Sequence, residues 1–435
     1  MIIKFAVSNY LSFDERQEVS FEVDEAAVES GVGAHFVEGK QPILKLAAFF
    51  GANAAGKSNL VIALNNIFRL LFESRSLKNE PVNVCRNFLA NEDDVSTLEI
   101  SFYADSVRYD YNISLSRRNI QSEELYYYPD GRKLLFYKRQ FVSGDVMPDI
   151  ALGKSLGLST NSVAAIKSAT LNNHSVLSSF QKVSLGPDGA KIANLHNWLA
   201  KHVHDIDGDE EMSIADILET VAGNPATKKF YLDMLRKADF NIVDFNVVRR
   251  SVPFPKSVRE RILNNPSLSE EEKRQELEGA YVKDIIFVHA SDRGLMEIPH
   301  GMESAGTMRF IENLYFLHQA ISGEHIILVD EISPNIHEDI LSYYLNAYCL
   351  NSSKSQLIFT SQQLSLLDDD IFSDTPSAAF FVDKDWNSAA STVVRGDKLM
   401  ESLGRDTGLT LYKAYKTGSI GATPSVGSLL YVSEV

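Results

Sequence analysis

The chain is poor in cysteine, with only Cys85 and Cys349 among its 435 residues. This excludes both the disulfide framework of a small secreted domain and a cysteine-rich metal site. Apolar residues nowhere run on for the ~18 positions that a membrane-spanning helix needs, so no membrane segment is expected. The start at Met1 lacks the pattern of a secretory signal, which predicts a cytoplasmic protein.

Excess positive charge is also lacking. There are 42 lysine and arginine residues against 58 aspartate and glutamate residues, a formal net charge of −16. This balance disfavours nonspecific wrapping of nucleic acid by the whole surface, although a local basic groove stays open. The hydrophobic content of 44% predicts a folded chain, and the length predicts two or three structural units.

A glycine loop between a strand and a helix is the most specific pattern in the sequence. The apolar stretch at residues 46–50 is followed by GANAAGKS at 51–58, which fits G-x-x-x-x-G-K-[ST] at every fixed position. In this context, backbone N–H groups and the helix start bind phosphates, the lysine reaches the β- and γ-phosphates of ATP, and the serine holds Mg²⁺. The candidate ATP-binding residues here are Gly51, Asn53, Ala54, Ala55, Gly56, Lys57, Ser58 and Asn59; Ser58 is also a candidate Mg²⁺ ligand.

Two acidic residues follow a second apolar strand. The run at 326–329 is typical of a strand buried in a parallel sheet, and Asp330 and Glu331 stand at its carboxyl end, where such sheets bind ligands. Asp330 is predicted to orient the water shell of Mg²⁺, and Glu331 to activate the attacking water. Gln362, just after the strand predicted at 356–360, is placed to sense the γ-phosphate. Glu331, Lys57 and Gln362 are therefore the candidate catalytic residues.

A second anion site is predicted where Ser304, Gly306 and Thr307 head a helix. The glycine loop already serves the phosphates of its own chain. We therefore expect these three residues to bind the γ-phosphate held by a neighbouring copy, with two nucleotides between two protomers. An ordinary serine N-cap would have the same sequence.

The periodicity of the sequence changes twice along the chain. Alternating segments between residues 98 and 137 predict an antiparallel β patch, and helical patterns run from 158 to 279. We therefore predict that 1–156 and 281–435 form one nucleotide-binding head and that 157–280 is an inserted helical subdomain. Within the insertion, residues 202–209 favour an acidic turn over a metal loop. Basic residues at 249–261 favour a solvated face over phosphate contacts.

The order of these motifs resembles ABC-type ATPases. More closely, it resembles the AAA-type, OLD-like and SMC-like ATPases of bacterial defence modules, a group that includes Septu, retron-associated and PARIS ATPases. The match includes residues 9–13, 51–58, 303–307, 330–331, 336–337, 364–368 and 415–424. The resemblance implies an α/β fold, with an ABC-ATPase-like P-loop head of mixed central sheet and antiparallel patch, and an ATP-sandwiched homodimer or higher oligomer. Gln362 replaces the group's usual histidine, and SPNIHE at 333–338 replaces its usual run, which implies slow hydrolysis.

Three functions follow from this resemblance. The first is an ATP-driven sensor or switch that controls a partner effector, a nuclease or toxin encoded nearby, in anti-phage defence. The second is an SMC-like DNA-binding ATPase of repair or chromosome maintenance. It predicts long coiled coils and a basic head, and neither sustained heptads nor a basic balance is present. The third is a nucleotide-dependent scaffold with negligible turnover. Whether nucleic acid is bound stays open.

Overall fold

The computed structural model describes residues 1–23, 34–35, 41–73, 80–82, 84–88, 94–144, 147–205, 213–251, 255–265, 268–271, 273, 277, 281–403 and 409–419. The chain divides into two compact units. The first comprises Met1–Asp207, Gln319–Ser333 and Tyr344–Val435, and the second comprises Gly208–His318 and Pro334–Tyr343. None of the helices in the described ranges combines the length and the apolar character that a bilayer crossing requires.

The first unit contains a long antiparallel sheet and a mostly parallel one. Its described strands are β1 (Ile2–Ser8), β2 (Gln17–Ser20), β3 (Ala34–His35), β4 (Ile43–Leu44), β5 (Leu46–Phe50), β6 (Ser96–Ala104), β7 (Val107–Leu115), β8 (Ile120–Tyr128), β9 (Leu134–Gln140), β10 (Asp149–Leu152), β11 (Val203–Asp205), β15 (Ile326–Val329), β16 (Gln356–Thr360), β17 (Ala379–Lys384) and β18 (Ser391–Arg395). The short β3 and β4 pair with each other.

The six-stranded sheet has the order β11-β15-β16-β5-β17-β18, and every pairing except β17–β18 is parallel. All residues of β5, β15 and β16 are buried, as expected for strands covered on both faces. The parallel pairing aligns the carboxyl ends of these three strands. The loop after β5 and the residues after β15 and β16 therefore meet at one edge of the sheet.

The seven-stranded sheet has the order β10-β9-β8-β7-β6-β1-β2 and is antiparallel throughout. Burial alternates along β7 and β8, so one face packs inward and the other is partly solvated. This confirms the predicted α/β class with a mixed sheet and an antiparallel patch. The sequence also predicts that two short strands before the glycine loop form a hairpin packed on the main sheet. β1 and β2 do pair, but they belong to this antiparallel sheet.

Helices complete the two units. Those wholly in the first are α1 (Lys57–Phe72), α2 (Thr160–Ala169), α3 (Val176–Ser179), α4 (Ala190–His202), α10 (Asp370–Asp374), α11 (Gly396–Leu403) and α12 (Leu411–Lys416). Those wholly in the second are α5 (Ile214–Ala222), α6 (Pro225–Lys237) and α7 (Lys256–Leu263). The division between the units falls within α8 (Ala305–Ser322) and within α9 (Glu338–Asn351).

The second unit corrects the prediction of a wholly helical insertion. It contains a three-stranded antiparallel sheet of β12 (Ile242–Ser251), β13 (Tyr281–Ser291) and β14 (Gly294–Pro299). The sequence of β12 is rich in valine, isoleucine and phenylalanine, which favour strands. Phe245 of β12 and Phe287 of β13 are fully buried. The sequence predicts β character at 285–288, within β13, but it gives no sign of β12, whose partner follows it by about thirty positions.

The boundaries of the units also differ from the predicted segments. The first unit continues through α2, α3 and α4 to Asp207, and the second continues to His318, whereas the predicted insertion spans 157–280. The sequence also predicts a loop at 31–39 and a polar, irregular segment at 74–91, and both lie mainly outside the described residues. The end of the acidic turn, at 206–209, and the end of the tail motif, at 420–424, also lie outside them.

Candidate functional site

The glycine loop lies at the carboxyl end of β5 and leads directly into α1. Gly51 has a φ of 150°, and a Cβ atom there would lie 2.2 Å from the carbonyl oxygen of Val382 on the neighbouring strand β17. Gly56 has a φ of 110° and forms the N-cap of α1 without a side-chain hydrogen bond. Glycine at both positions thus lets the backbone turn tightly beneath the start of the helix.

Lys57 is the only residue in the loop motif with a cationic side chain, and it is buried. Its Nζ atom donates to the carbonyl oxygens of Gly51 and Ala52, both at 3.0 Å. Burial lowers the pKa of Lys57, while the negative charges of Glu331 and Asp330 act to raise it. The predicted phosphate loop and the predicted acidic pair are therefore close enough to interact electrostatically.

The two acids follow β15 in a turn that is held by Thr360 at the end of β16. The hydroxyl of Thr360 donates to Oδ1 of Asp330 at 2.6 Å and accepts from the backbone N–H of Glu331 at 2.8 Å. Glu331 itself has a φ of 48°, in the left-handed region. The exposed side chain of Gln362 donates through Nε2 to Oε1 of Glu331. The structure thus brings together Lys57, Asp330, Glu331 and Gln362, all predicted from sequence.

The remaining predicted loop residues surround this centre. Asn53 and Ala54 are exposed at the tip, and Ala54 has a φ of 62°. The N–H of Ala55 is bonded within the loop to the carbonyl oxygen of Ala52, at 3.2 Å. Ser58, the candidate metal ligand, is partly exposed in the first turn of α1.

A polar support beneath the loop was not predicted from sequence. Ser391, the first residue of β18, donates its hydroxyl to the carbonyl oxygen of Ala55 at 2.6 Å and its N–H to the carbonyl oxygen of Ser12 at 2.7 Å. Asn59 donates to the hydroxyl of Ser12 at 2.8 Å. A Cβ atom on Gly56 would lie 2.6 Å from both hydroxyl oxygens. Ser12 lay within a matched motif, whereas Ser391 carried no sequence signal.

The turn at residues 9–13 is anchored in the same unit. The buried Tyr10 donates its hydroxyl to the carbonyl oxygen of Val84 at 2.6 Å and accepts from Asn66 of α1 at 2.8 Å. Asn9 and Leu11 both have positive φ values, 48° and 54°. The turn therefore holds Ser12 in a fixed position relative to α1.

The second predicted anion site, that of Ser304, Gly306 and Thr307, lies in the second unit. Ser304 precedes α8 and accepts a hydrogen bond from the N–H of Thr307 at 2.9 Å, which is the geometry of an N-cap. A Cβ atom on Gly306 would lie 2.3 Å from the carbonyl oxygen of Asn335, so a larger residue would displace that backbone. Ser304 is exposed, and Glu303 beside it accepts from Nε2 of His289 at 2.6 Å.

Side chains in two other segments considered in the sequence analysis, residues 202–209 and 249–261, have partners within the protein. His204 and His325 share a 2.9 Å hydrogen bond, and burial lowers the pKa of each to about 4. In the second unit, Arg249 is paired with Glu219 and Arg250 with Asp284. For these two arginines, the interpretation as a charged surface is the better supported one.

The chemistry of the loop and acids fits Mg²⁺ with a nucleotide. Magnesium retains several waters and is bound through few protein ligands together with phosphate oxygens, so Ser58 and Asp330 suffice on the protein side. A cluster of three or more histidine, cysteine, aspartate or glutamate side chains able to hold a metal is absent from the described part of the chain. The donor set thus suits a metal shared with phosphates.

Comparison with known proteins shows that one protein family matches most of the chain. Residues 46–368 match the family described as “AAA domain, putative AbiEii toxin, Type IV TA system”. The match extends over well more than half of the 435 residues and includes the glycine loop, the residues at 304–307, the acidic pair and Gln362. No curated protein matches the sequence.

Several solved structures are similar to the chain. The Smc head bound to the C-terminal winged-helix domain of ScpA is 13% identical, covering 92% of this chain and 99% of that one, with a TM-score of 0.43. The SMC head domain from Thermotoga maritima is 10% identical over 91% and 98%, with a TM-score of 0.40. An Smc head with an extended coiled coil, bound to a ScpA domain derived from Pyrococcus furiosus, is 13% identical over 92% and 98%, with a TM-score of 0.42.

Proposed function

The chain belongs to this AAA-domain family, and from that premise we propose that it binds ATP with Mg²⁺ and hydrolyses it. The observation that carries the proposal is that the glycine loop after β5 and the two acids after β15 lie at the same edge of the parallel sheet, where the charges of Asp330 and Glu331 act on Lys57. An ammonium group on a glycine loop and a pair of acids are what a magnesium-bound triphosphate requires. The loop supplies N–H donors for the phosphates, and the acids balance the metal.

Each residue has a distinct part in the proposed reaction. Lys57 would turn its ammonium from the loop carbonyls to the β- and γ-phosphates. Ser58 and Asp330 would hold Mg²⁺, which when bound would supply positive charge against the phosphate oxygens. Glu331 accepts the proton of a water whose oxygen attacks the γ-phosphorus, and ADP leaves with the electrons of the broken P–O bond. Gln362 donates to Glu331 and so orients this base.

The first test measures ATP binding and phosphate release in two variants. Lys57→Ala should lose both, by about 100-fold or more, because the phosphates lose their cation. Glu331→Gln should retain ATP while phosphate release falls about 100- to 1,000-fold, since the amide cannot take the proton. Lys45→Ala is the matched control: Lys45 is another buried lysine that donates to a backbone carbonyl, that of Cys349 at 2.5 Å, and its loss should leave turnover unchanged.

The outcomes separate the competing interpretations. If wild type binds ATP but releases no phosphate, a nucleotide-dependent scaffold is favoured over an enzyme. If Lys57→Ala and Lys45→Ala behave alike, the loop is not the nucleotide site. Turnover that rises with duplex DNA and falls with added salt would favour the SMC-like alternative.

A second copy of the chain is part of the proposal. Ser304, Gly306 and Thr307 stand at the start of an 18-residue helix whose N-terminal N–H groups attract anions. These residues would contact the γ-phosphate bound by the neighbouring protomer, so that ATP joins the two copies. The exposure of Ser304 supports this assignment.

The dimer is tested with Ser304→Ala in a Glu331→Gln background, which retains ATP. We expect ATP-dependent dimerisation, measured by light scattering, to weaken about 10-fold, a loss of about 1.4 kcal/mol. Ser213→Ala is the matched control, because Ser213 caps α5 in the same unit through the N–H of Asp216 at 3.2 Å. Equal effects of the two substitutions would reduce Ser304 to a helix cap.

The biological role proposed for this cycle is control of a partner effector, a nuclease or toxin, in anti-phage defence. The family's description names a toxin and a type IV toxin–antitoxin system, and the motif order resembles ATPases of defence modules. Co-expression with the product of the neighbouring gene should produce phage resistance or growth arrest that Lys57→Ala abolishes. A phenotype that survives Lys57→Ala would contradict control by nucleotide.

A further inference from the structure

Two buried hydroxyl groups fasten strand β16 to β15, one at each end. At the amino end, Ser355 accepts from the N–H of His325 at 3.0 Å, and its single proton is shared between the carbonyl oxygens of Gly323 at 3.0 Å and Ala320 at 3.1 Å. At the carboxyl end, Thr360 accepts from the N–H of Glu331 at 2.8 Å and donates to Asp330. Both residues are fully buried. They differ in what receives the proton: a carbonyl at one end and a carboxylate at the other.

The contact of Thr360 with Asp330 determines how that carboxylate is used. A threonine hydroxyl has a single proton, and here it lies on the 2.6 Å hydrogen bond to Oδ1. Oδ1 is thereby held in place, which fixes the orientation of the whole carboxylate group. Threonine is branched at Cβ and has few χ1 rotamers, so the direction of this bond is fixed by the strand.

Thr360 also holds the unusual backbone of Glu331. A φ of 48° is costly for a residue with a side chain and persists only where neighbouring groups enforce it. The hydroxyl of Thr360 accepts from the N–H of Glu331, and its carbonyl oxygen accepts from the N–H of Ile332 at 3.1 Å. One residue therefore restrains three consecutive residues, including both acids.

We propose that Thr360 is a positioning residue of the hydrolytic site, whose hydroxyl sets the direction of the Asp330 carboxylate and the backbone turn that presents Glu331. The inference rests on the proposed ATPase function and adds to it a requirement for one hydroxyl group. Groups that orient a metal ligand in this way affect metal affinity or activity by about 10- to 100-fold. The effect should appear in magnesium dependence and kcat, whereas the KM for ATP, set mainly by the glycine loop, should change little.

The experiment compares Thr360→Val, which keeps the shape, with Thr360→Ser, which keeps the hydroxyl. Thr360→Val should lower kcat about 10- to 100-fold and raise the half-saturating Mg²⁺ concentration about 10-fold, with the KM for ATP within about threefold of wild type. Thr360→Ser should stay within about threefold of wild type in every parameter. A readout independent of turnover is the affinity for a fluorescent ATP analogue with and without Mg²⁺, whose ratio should shrink in Thr360→Val.

Ser355→Ala is the matched control, because it removes a buried hydroxyl from the other end of the same strand. It should lower the melting temperature about as much as Thr360→Val does and leave kcat and magnesium dependence unchanged. Thr360→Val with wild-type kcat and magnesium dependence would overturn the inference. So would a Thr360→Ser variant as impaired as Thr360→Val, since packing of the methyl group would then be the cause.

The experiment also distinguishes a failure of the Thr360 proposal from a failure to fold and from a failure of the proposed ATPase function. If Thr360→Val does not fold, Thr360→Cys replaces it with a weaker donor of similar size, and an unchanged half-saturating Mg²⁺ concentration then overturns the proposal. If wild type itself neither binds nor hydrolyses ATP, the proposed function fails. If wild type is active and the threonine variants match it, only the role of Thr360 fails.

Discussion

The amino and carboxyl edges of the parallel strands in the first unit carry similar polar groups that face different partners. Lys45 before β5 and Lys57 after it are both buried lysines that donate to backbone carbonyls, and burial lowers the pKa of each. Ser355 and Thr360 are both buried hydroxyls at the ends of β16. Only at the carboxyl edge do these groups meet carboxylates and a glycine loop.

The difference teaches that a buried, hydrogen-bonded polar residue is not in itself a sign of chemistry. At the amino edge, Lys45 and Ser355 satisfy backbone carbonyls and thereby stabilise the fold. At the carboxyl edge, the chain leaves β5 and β15 through positive-φ residues, Gly51 and Glu331, and this brings charged groups together. Open α/β sheets bind ligands at that edge for the same topological reason.

The largest expected effect comes from changing the backbone of the carboxyl edge. Gly51→Ala should reduce phosphate release to about 1% of wild type or less and lower the free energy of unfolding by about 2–4 kcal/mol. The reason is the contact of 2.2 Å that its Cβ would make with the carbonyl oxygen of Val382, at a φ of 150°. Urea unfolding and a phosphate assay measure the two effects.

Gly131→Ala serves as the control for strain alone. Gly131 has a φ of 75°, but a Cβ atom there would meet nothing within 4 Å. We expect a cost of about 1 kcal/mol and normal turnover, because the strain lies in a hairpin turn of the antiparallel sheet. Equal loss of turnover in both variants would mean that Gly51 acts through global stability only.

The amino edge should instead show a pH effect on stability. Burial holds His204 and His325 uncharged, with the pKa of each lowered to about 4 from an ordinary value near 6.5. Between these values the unfolded chain binds more protons than the folded one, so stability is complete above pH 6.5 and falls as the pH drops towards 4. His325→Gln should reduce the loss between pH 7 and pH 5 by about 1 kcal/mol, a value discounted for partial solvation.

This smaller effect is measured by urea unfolding at the two pH values. ATP turnover at neutral pH should remain within about twofold of wild type, because the two histidines lie at the edge opposite to the acids. If His325→Gln lost as much stability on acidification as wild type, the histidine pair would not be the titrating element. If His325→Gln lost ATP turnover instead, the amino edge would contribute to activity as well as to stability.

Local sequence predicted which segments meet at the carboxyl edge, because short motifs mark them. Residues 51–58 specify a loop and the start of a helix, and residues 326–331 specify a buried strand with acids at its end. Parallel pairing of β5, β15 and β16 then brings these segments together. The order of those strands in the sheet depends on contacts between distant residues. The sequence motifs did not predict this order; they only led us to expect that the segments meet.

What sequence could not predict depends on partners that are distant along the chain. Thr360 was predicted as the last residue of a strand, and Ser391 carried no sequence signal. Thr360 contacts Asp330, 30 positions away, and Ser391 contacts Ala55, 336 positions away. Strand β12 was missed for the same reason, since its partner follows a segment with helical character. At Ser304 the structure does not decide between the two predicted roles. The N-cap geometry found there fits both an ordinary helix cap and an anion site for the γ-phosphate of a neighbouring copy.

The placement of β5 has a consequence for biosynthesis. Its two neighbours in the sheet, β16 and β17, begin at Gln356 and Ala379, more than 300 residues after β5 ends at Phe50. At ~5–20 residues per second, a ribosome needs on the order of 15 to 60 seconds to supply them. Throughout that interval, a strand of five apolar residues has left the exit tunnel without either lateral partner, which makes the nascent polypeptide a natural client for chaperones that shield hydrophobic segments.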